Sequence, residues 1–215
     1  AGTISLAVGA ALASSIRGDD SVSVSFFGDG ACGEGVLFES MNFASLRQLP
    51  VIFVCENNLY ATHMPIRECR LDSNISRISE PFCIPHFRID GNDVLQVFDI
   101  GNQAVKLCKS GKGQVFIECL TYRYRGHVDP DDNIQGHHTD IRPHEEVAEW
   151  LSKDHIKRFE EFLREHELAE DGYFKNLKQQ VEKNVINAHE FAKASEFPAR
   201  EDLLKYVFTA STPNN

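Results

Sequence analysis

The sequence predicts an α/β fold in which a parallel sheet is covered by helices on both faces, followed by a carboxyl-terminal helical extension. Short runs of apolar and β-branched residues alternate with segments whose apolar residues recur at helical spacing. The short runs are nearly continuous in apolar residues, which is typical of parallel strands buried on both sides and joined by right-handed crossovers. From about His144 the chain becomes charged and helical, which predicts the extension.

Turn and stop signals place the elements in order. The opening helix is rich in Ala and Ser and ends before Gly18, a residue type that commonly closes helices. Pro50 precedes the second strand, and Gly111 follows the third helix. The predicted strands are 22–27, 51–56, 87–91 and 115–120. The predicted helices are 1–16, 36–46, 94–108, 145–152, 154–166 and 171–195.

These elements predict two domains, an α/β domain over residues 1–143 and a helical extension over residues 144–215 that packs on it. The chain opens at Ala1 inside a predicted helix and without an initiator methionine, so we expect it to be a fragment of a longer protein. Residues 212–215 are expected to be frayed, as chain ends commonly are.

Composition argues against several classes of partner. The chain of 215 residues has a formal net charge of −10 and no run rich in Lys or Arg, so nucleic acid and anionic membrane surfaces are not expected as partners. No stretch approaches the roughly 18 apolar residues of a membrane span. The cysteines form no C-x-x-C pair, and buried, reduced thiols are expected rather than disulfides. They are Cys32, Cys55, Cys69, Cys83, Cys108 and Cys119.

Two loops of the predicted sheet carry residues suited to a metal and a phosphate. Gly28-Asp29-Gly30 and Asn57-Asn58 each follow a strand, so both should emerge at the carboxyl edge, where ligands bind in open α/β sheets. Glycines allow a close approach of the backbone to a phosphate. A carboxylate and a carboxamide oxygen, together with phosphate oxygens and water, are the ligands that Mg²⁺ prefers. Each loop alone is also compatible with an ordinary turn.

The spacing of the two loops is more informative than either one. Gly-Asp-Gly, then 26 residues containing a helix and a strand, then Asn-Asn, resembles the fingerprint of enzymes that bind magnesium and thiamine diphosphate. Further matches follow in the same order at Phe38-Glu39, at Cys55-Glu56-Asn57-Asn58 with Tyr60, and in the Thr-Tyr-Arg-Tyr-Arg-Gly-His run at 121–127. Over nearly its whole length the chain resembles the alpha subunit of the decarboxylating component of 2-oxo acid dehydrogenase complexes. Pyruvate, branched-chain and acetoin dehydrogenases are the members of this family, whose amino-terminal portion would precede Ala1.

The resemblance implies a role for individual residues. Asp29 and Asn58 match the magnesium side-chain ligands, and Tyr60 matches the position that gives a backbone carbonyl. His127 matches the histidine of the active-site loop, a catalytic and cofactor-contacting residue. The diphosphate contacts implied by the resemblance are Gly28, Gly30, Ala31 and Arg123.

The resemblance also implies an activity and partners. The expected enzyme is a 2-oxo acid dehydrogenase of the pyruvate dehydrogenase (acetyl-transferring) type, which decarboxylates a 2-oxo acid and reductively acylates a lipoyl group. A beta subunit would supply the glutamate that activates the cofactor and would form a heterotetramer of two alpha and two beta subunits, with a lipoyl acyltransferase as a further partner. The expected compartment is the cytoplasm in a bacterium and the mitochondrial matrix in a eukaryote.

The chain departs from the family pattern at Arg125 and Val128, where the family usually has His and Ser. Val128 excludes the regulatory phosphorylation of animal members at that position. Arg125 makes the loop more basic, which suits an anionic substrate, although the substrate itself stays open.

Other functions and other residues are also compatible with the pattern. The chain could be an acetoin-type or transketolase-like thiamine diphosphate enzyme, or a non-catalytic homologue that acts in assembly. His63 is a candidate for the substrate pocket, whereas Glu34 is interpreted as a carboxylate at a helix amino terminus. His137 and His138 are interpreted as loop residues near the entrance of the site, since they lack metal-ligand spacing.

Overall fold

The computed structural model describes residues 1–127, 133–134, 137–138 and 142–205, with only the backbone at 133–134, 137–138 and residue 204. The helices are α1 Gly2–Arg17, α2 Gly35–Arg47, α3 Ile66–Cys69, α4 Val94–Leu107, α5 His144–Ser152, α6 His155–Glu165 and α7 Asp171–Ala194. The strands are β1 Ser23–Gly28, β2 Val51–Asn57, β3 Tyr60–Ala61, β4 Met64–Pro65, β5 His86–Asp90, β6 Val115–Leu120, β7 Asn133–Ile134 and β8 His137–His138. Turns of 3₁₀ helix lie at Asp29–Gly33, Ile75–Phe82 and Arg200–Leu204, and a π-helical turn lies at Cys108–Lys112.

The main sheet has four parallel strands in the order β1-β2-β6-β5, which confirms the predicted parallel sheet. Its register brings the strand ends level. Gly28 lies opposite Glu56 on β2, and Leu120 lies between Asn57 and Asp90 on the two neighbouring strands. The loops that follow β1, β2 and β6 therefore leave the sheet side by side, as the sequence predicts.

Helices cover both faces of this sheet. Alternate residues of each central strand point to opposite sides, so apolar side chains on both faces have to be buried. On β2, Val51, Phe53 and Cys55 belong to one buried cluster, which also contains residues of α1 and α2. Ile52 and Val54 belong to a second buried cluster on the other face, with residues of α4. β2 and β6 are buried on both sides for this reason, and their sequences are correspondingly apolar.

The long elements agree with the sequence prediction to within one or two residues at most ends. α1 is closed by Gly18 in the left-handed conformation (φ 69°), and α4 is capped by Asp93, whose side chain accepts hydrogen bonds from the backbone N–H groups of Leu95 and Gln96. The short elements were not predicted, because two to eight residues are too few to show a period. They include the 3₁₀ turn after β1, the β3–β4 hairpin, and β8, which makes His137 and His138 strand residues rather than loop residues.

All six cysteines are free thiols, as expected. Cys32, Cys55 and Cys108 are buried, but Cys69 and Cys83 are exposed, so the expectation of burial is wrong for these two. Both exposed cysteines lie at the ends of short helical turns, outside the apolar runs that form the sheet.

The chain divides into two compact units, residues 1–161 and residues 162–215. The first unit contains the sheet together with α5, so the predicted domain boundary at 143/144 and the packing of the extension stay predictions. The second unit contains α7, and in it Arg164 bonds to Asp171 at 3.0 Å and lies over the ring of Phe174. Within the part of the chain that the structure describes, no helix is both long and apolar enough to cross a membrane.

Candidate functional site

Asp29 begins the loop after β1 and is a buried carboxylate with unsatisfied oxygens. It is 2% exposed, and neither of its carboxylate oxygens has a hydrogen-bond partner among the described residues. Burial raises the pKa of this carboxyl group. The backbone amides of Gly30 and Asn58 and the positive charge of Arg123 partly offset this rise, although none of these groups donates a hydrogen bond of normal geometry to the carboxylate. A bound cation would stabilise the Asp29 carboxylate, because a buried charge is costly unless it is paired.

The glycines beside Asp29 differ in what they allow. A Cβ at Gly30 would lie 2.9 Å from the Cβ of Ala61, so this position is small because the β3 backbone passes close to it. A Cβ at Gly28 would meet no atom within 4 Å, and this residue has an ordinary extended conformation (φ −80°, ψ 167°). Neither glycine has positive φ, so the chain turns after β1 through a 3₁₀ helix and not through a left-handed glycine. The open space at Gly28 and the half-buried Ala31 leave this backbone accessible to an anion.

The loop after β2 presents the two other predicted ligands. Asn58 is half-buried, and its Oδ1 accepts a hydrogen bond from the Tyr60 N–H at 3.1 Å, which leaves one lone pair of that oxygen for a further contact. Ile66 donates its backbone N–H to the Leu59 carbonyl at 2.8 Å. Because hydrogen-bonded and non-hydrogen-bonded pairs alternate in an antiparallel hairpin, the next pair, Tyr60 with Pro65, directs the Tyr60 carbonyl away from β4.

The segment after β6 brings a cation and a histidine to the same place. Arg123 donates from Nη2 to the Thr62 carbonyl at 2.8 Å, and its Nη1 lies 3.1 Å from Nδ1 of His127. The ring of His63 lies 6.2 Å from that of His127, edge to face. The structure therefore places His63, Arg123 and His127 together, and the positive charge of Arg123 acts to lower the pKa of Asp29, the predicted metal ligand.

A polar network that the sequence did not reveal ties these loops together. Glu146 on α5 accepts hydrogen bonds from the hydroxyls of Tyr60 at 3.1 Å and Tyr122 at 2.9 Å. The guanidinium of Arg142 lies 5.4 Å from the centre of the Tyr122 ring and donates hydrogen bonds to the carbonyls of Arg123 and Arg125. The charged pattern of α5 gave no sign that one of its carboxylates faces inward, since solvated helices have the same composition.

The remaining candidate residues lie elsewhere or outside the described residues. Glu34 is the exposed N-cap residue of α2, at the helix amino terminus as expected. Arg125 is exposed, and Val128 lies outside the described residues, as do the side chains of His137 and His138. A separate polar cleft between β5, α4 and α6 contains none of the predicted ligands, and its central cation, Arg158, is paired with Asp90 at 2.6 Å.

These residues fit a magnesium ion and a diphosphate. The donor set consists of one carboxylate, one carboxamide oxygen and one backbone carbonyl, which is the mixture that magnesium takes when phosphate oxygens and water complete its coordination. The described residues contain no group of three or more His, Cys, Asp or Glu side chains that could hold a metal ion. The unsatisfied oxygens of Asp29 and the accessible backbone at Gly28 are the two observations that support this fit.

The fold and the loops define a class of protein, open α/β domains that present a ligand site at the carboxyl edge of a parallel sheet. The chain belongs to the dehydrogenase E1 component family, whose sequence profile matches residues 1–201. This membership confirms the resemblance seen in the motifs and agrees with the α/β fold.

Similar proteins come from plants, bacteria and animals. The chain is 38% identical over 213 residues to the pyruvate dehydrogenase E1 component subunit alpha-3, chloroplastic, of Arabidopsis thaliana, covering 95% of this chain and 48% of that protein. It is 37% identical over 175 residues to the pyruvate dehydrogenase E1 component subunit alpha of Rhizobium meliloti, covering 75% and 50%. It is 33% identical over 211 residues to the somatic, mitochondrial form of the pyruvate dehydrogenase E1 component subunit alpha of Homo sapiens, covering 98% and 52%. The chain thus spans about half the length of these relatives.

Proposed function

We propose that the chain is part of the alpha subunit of a thiamine diphosphate-dependent 2-oxo acid dehydrogenase of the pyruvate dehydrogenase type. In this proposal the assembled protein decarboxylates a 2-oxo acid and transfers the acyl group reductively to a lipoyl group. The observation that carries the proposal is the buried, unsatisfied carboxylate of Asp29 at the carboxyl edge of the sheet. Family membership and the names of the relatives support the same function.

The residues of the chain have separate binding tasks. Asp29, Asn58 and the Tyr60 carbonyl would hold magnesium, and the backbone at Gly28, Gly30 and Ala31 would face the diphosphate. Arg123 adds a positive charge on the same side. When bound, thiamine diphosphate supplies the carbanion chemistry that lets carbon dioxide leave a 2-oxo acid, while the protein supplies placement and a dry environment.

His127 is proposed to act as a hydrogen-bond donor through Nε2. The guanidinium of Arg123 can only donate, so its contact at 3.1 Å assigns the lone pair to Nδ1 of His127 and the proton to Nε2. A histidine held in this tautomer can present a proton to an anionic oxygen of a substrate, or to the thiolate sulfur released when the disulfide of a lipoyl group is opened. Arg123 thus has two roles in the proposal, as a charge near the diphosphate and as the group that orients His127.

Partners and compartment follow from the same proposal. A beta subunit completes the site in a heterotetramer of two alpha and two beta subunits, and a lipoyl acyltransferase accepts the acyl group. The compartment depends on the organism, and it is the cytoplasm for a bacterium and the mitochondrial matrix or a plastid for a eukaryote. The plastid was not among the compartments expected from the sequence, and it enters because the Arabidopsis relative is named as chloroplastic.

Calorimetric titration with thiamine diphosphate and magnesium, in the presence and absence of a beta-type partner, tests the proposal. Binding that requires magnesium and is weakened in Asp29→Ala would support it. No binding in either condition would exclude every thiamine diphosphate enzyme and leave an assembly role. Binding without turnover of any member of a panel of 2-oxo acids would favour an acetoin-type or transketolase-like enzyme.

A further inference from the structure

Glu118 on β6 is a second buried carboxylate near the carboxyl edge of the sheet, and its exposed fraction is 0%. Unlike Asp29, it has partners on every side. Its Oε1 accepts a hydrogen bond from Nδ2 of Asn57 at 2.8 Å and lies 3.4 Å from Nε of Arg88, and its Oε2 accepts the backbone N–H of Ser76 at 2.8 Å. A buried carboxylate is retained at low cost only in such a saturated arrangement.

Asn57 transmits this arrangement to the loop of the predicted metal ligands. Its side chain is 0% exposed, with Nδ2 on Glu118 and Oδ1 accepting the Leu59 N–H at 3.1 Å. A carboxamide has one donating and one accepting end, so a donor bond to Glu118 forces the oxygen to face Leu59. Leu59 adopts a left-handed conformation (φ 71°), which a bulky residue rarely takes without support.

The conformation of Leu59 affects the predicted metal ligands directly. Asn58 and Tyr60 lie on either side of Leu59, and the turn at Leu59 decides where the Asn58 Oδ1 and the Tyr60 carbonyl point. We propose that Glu118 is a positioning residue for the metal loop, which acts through the Asn57 carboxamide to hold residues 58–60 in their ligand geometry. This inference rests on the proposed function, because it concerns the magnesium site described there.

An exchange of the two side chains tests the inference. In Glu118→Gln the introduced amide cannot accept from both Asn57 and Ser76, so one of these contacts is lost. In Asn57→Asp two carboxylates face each other. In the double variant the amide and the carboxylate have changed places at the same total charge. The hydrogen bond between residues 57 and 118 is restored, and the N–H groups of Ser76 and Leu59 again have acceptors, so only the contact with Arg88 is lost. We expect each single variant to weaken magnesium binding by about tenfold or more, as changes next to a metal ligand commonly do, and the double variant to recover most of it.

The measurements are a magnesium titration of the assembled protein at saturating thiamine diphosphate and hydrogen exchange of the Leu59 and Tyr60 amides in the metal-free chain. The matched control is Ile117→Ala on the same strand, which lowers stability on the other face of the sheet without a contact to Asn57. The control should leave magnesium affinity and the two amides unchanged.

The possible results separate this inference from the proposed function. If the unaltered protein binds no magnesium or cofactor, this inference and the proposed function are both refuted. If it binds both, yet Glu118→Gln matches it in affinity and in the exchange of Leu59 and Tyr60, the positioning role is wrong and the proposed function stands. A double variant no better than the single ones, with a fold as stable as that of the control, would also overturn the role of Glu118.

Discussion

Replacing Asp29 by asparagine is expected to stabilise the metal-free chain and to weaken its binding of magnesium at the same time. Asp29 is 2% exposed, its carboxylate oxygens have no hydrogen-bond partner among the described residues, and burial raises its pKa. The substitution removes a poorly solvated charge and keeps the shape of the side chain. A residue selected for binding commonly has this property, since strain or desolvation at a site is retained where a ligand relieves it.

The size of both effects can be estimated. An unsatisfied buried polar group costs about 1–3 kcal/mol, and an amide retains part of that cost, so we expect a net gain of about 1 kcal/mol in the free energy of unfolding. For a chain of this length that corresponds to about 2–4 °C in Tm. A unit charge pair at about 4 Å is worth about 4 kcal/mol at an effective dielectric constant of about 20, so magnesium affinity should fall by at least about a hundredfold.

The effect of Asp29 on stability also depends on pH. A pKa raised in the folded state above the ordinary aspartate value of 3.8 means that the folded chain binds this proton more tightly than the unfolded chain. The contribution of Asp29 to the free energy of unfolding is therefore fully present below pH 3.8, and it is lost as the pH rises through the folded-state pKa. Asp29→Asn should remove this component, so its advantage over the unaltered chain should grow as the pH rises from about 4 to neutrality.

Thermal and chemical unfolding in the presence of a chelator, paired with magnesium titration at saturating thiamine diphosphate, measure the two effects. Asp99→Asn is the control, because it removes one exposed carboxylate of α4 and should change neither quantity. A metal-free variant less stable than the unaltered chain, with unchanged magnesium affinity, would refute the assignment of Asp29 as a desolvated ligand.

Four further predictions, the first of them a matched pair of substitutions, have defined outcomes. Gly30→Ala should lower the free energy of unfolding by about 1–3 kcal/mol, because its Cβ would lie 2.9 Å from the Cβ of Ala61. Gly28→Ala should leave the stability of the metal-free chain unchanged, because its Cβ would meet no atom within 4 Å. Equal losses of stability for the two variants in urea unfolding would contradict this difference. Glu146→Gln should cost about 1.5–3 kcal/mol, since both tyrosine hydroxyls lose a charged acceptor and one of them then faces an amide nitrogen. An unchanged urea midpoint would contradict the network. Burial raises the pKa of Cys108 from 9.0 to about 11, so the contribution of this thiol to stability is complete below pH 9 and is lost as the pH rises through 11. In Cys108→Ser the free energy of unfolding should therefore change less between pH 9 and about 11 than it does in the unaltered chain. His127→Ala should spare cofactor binding in calorimetry and slow lipoyl acylation, and an equal loss of decarboxylation with an artificial electron acceptor would oppose that role.

The sequence predicts the parts of the fold that depend on local pattern. β2 and β6 are recognisable because burial on both faces makes them mostly apolar, and α1 ends at Gly18 because the left-handed position favours a glycine. The two loops at the carboxyl edge are predictable for the same reason, since their place follows from the ends of the strands. Asp29 and the Asn57-Asn58 pair could be chosen as candidate ligands because a residue pattern and a topological position coincide, and the choice of Asn58 within the pair came from the resemblance to the family.

Contacts between distant residues could not be predicted in this way. Tyr60 and Glu146 are 86 positions apart, and Arg142 donates to the carbonyls of Arg123 and Arg125, which lie 19 and 17 positions before it. Nothing in the local sequence distinguishes Glu146 from the solvated carboxylates of the same helix. The network that fixes the site depends on how α5 is placed against the sheet, which is set by packing and not by periodicity.

Asp29 and Glu118 show what the folded structure adds to a pattern of charges. Both are carboxylates at the end of a strand or just after it, both are buried, and the sequence gives each the same charge. Glu118 is satisfied by Asn57, Ser76 and Arg88, so the fold itself provides its counterparts. Asp29 is left without a hydrogen-bond partner among the described residues, although a satisfied carboxylate lies on the neighbouring part of the same sheet. The same chain therefore provides partners for one buried carboxylate and none among the described residues for the other, and this difference, rather than the number of acidic residues, is what supports Asp29 as the proposed ligand.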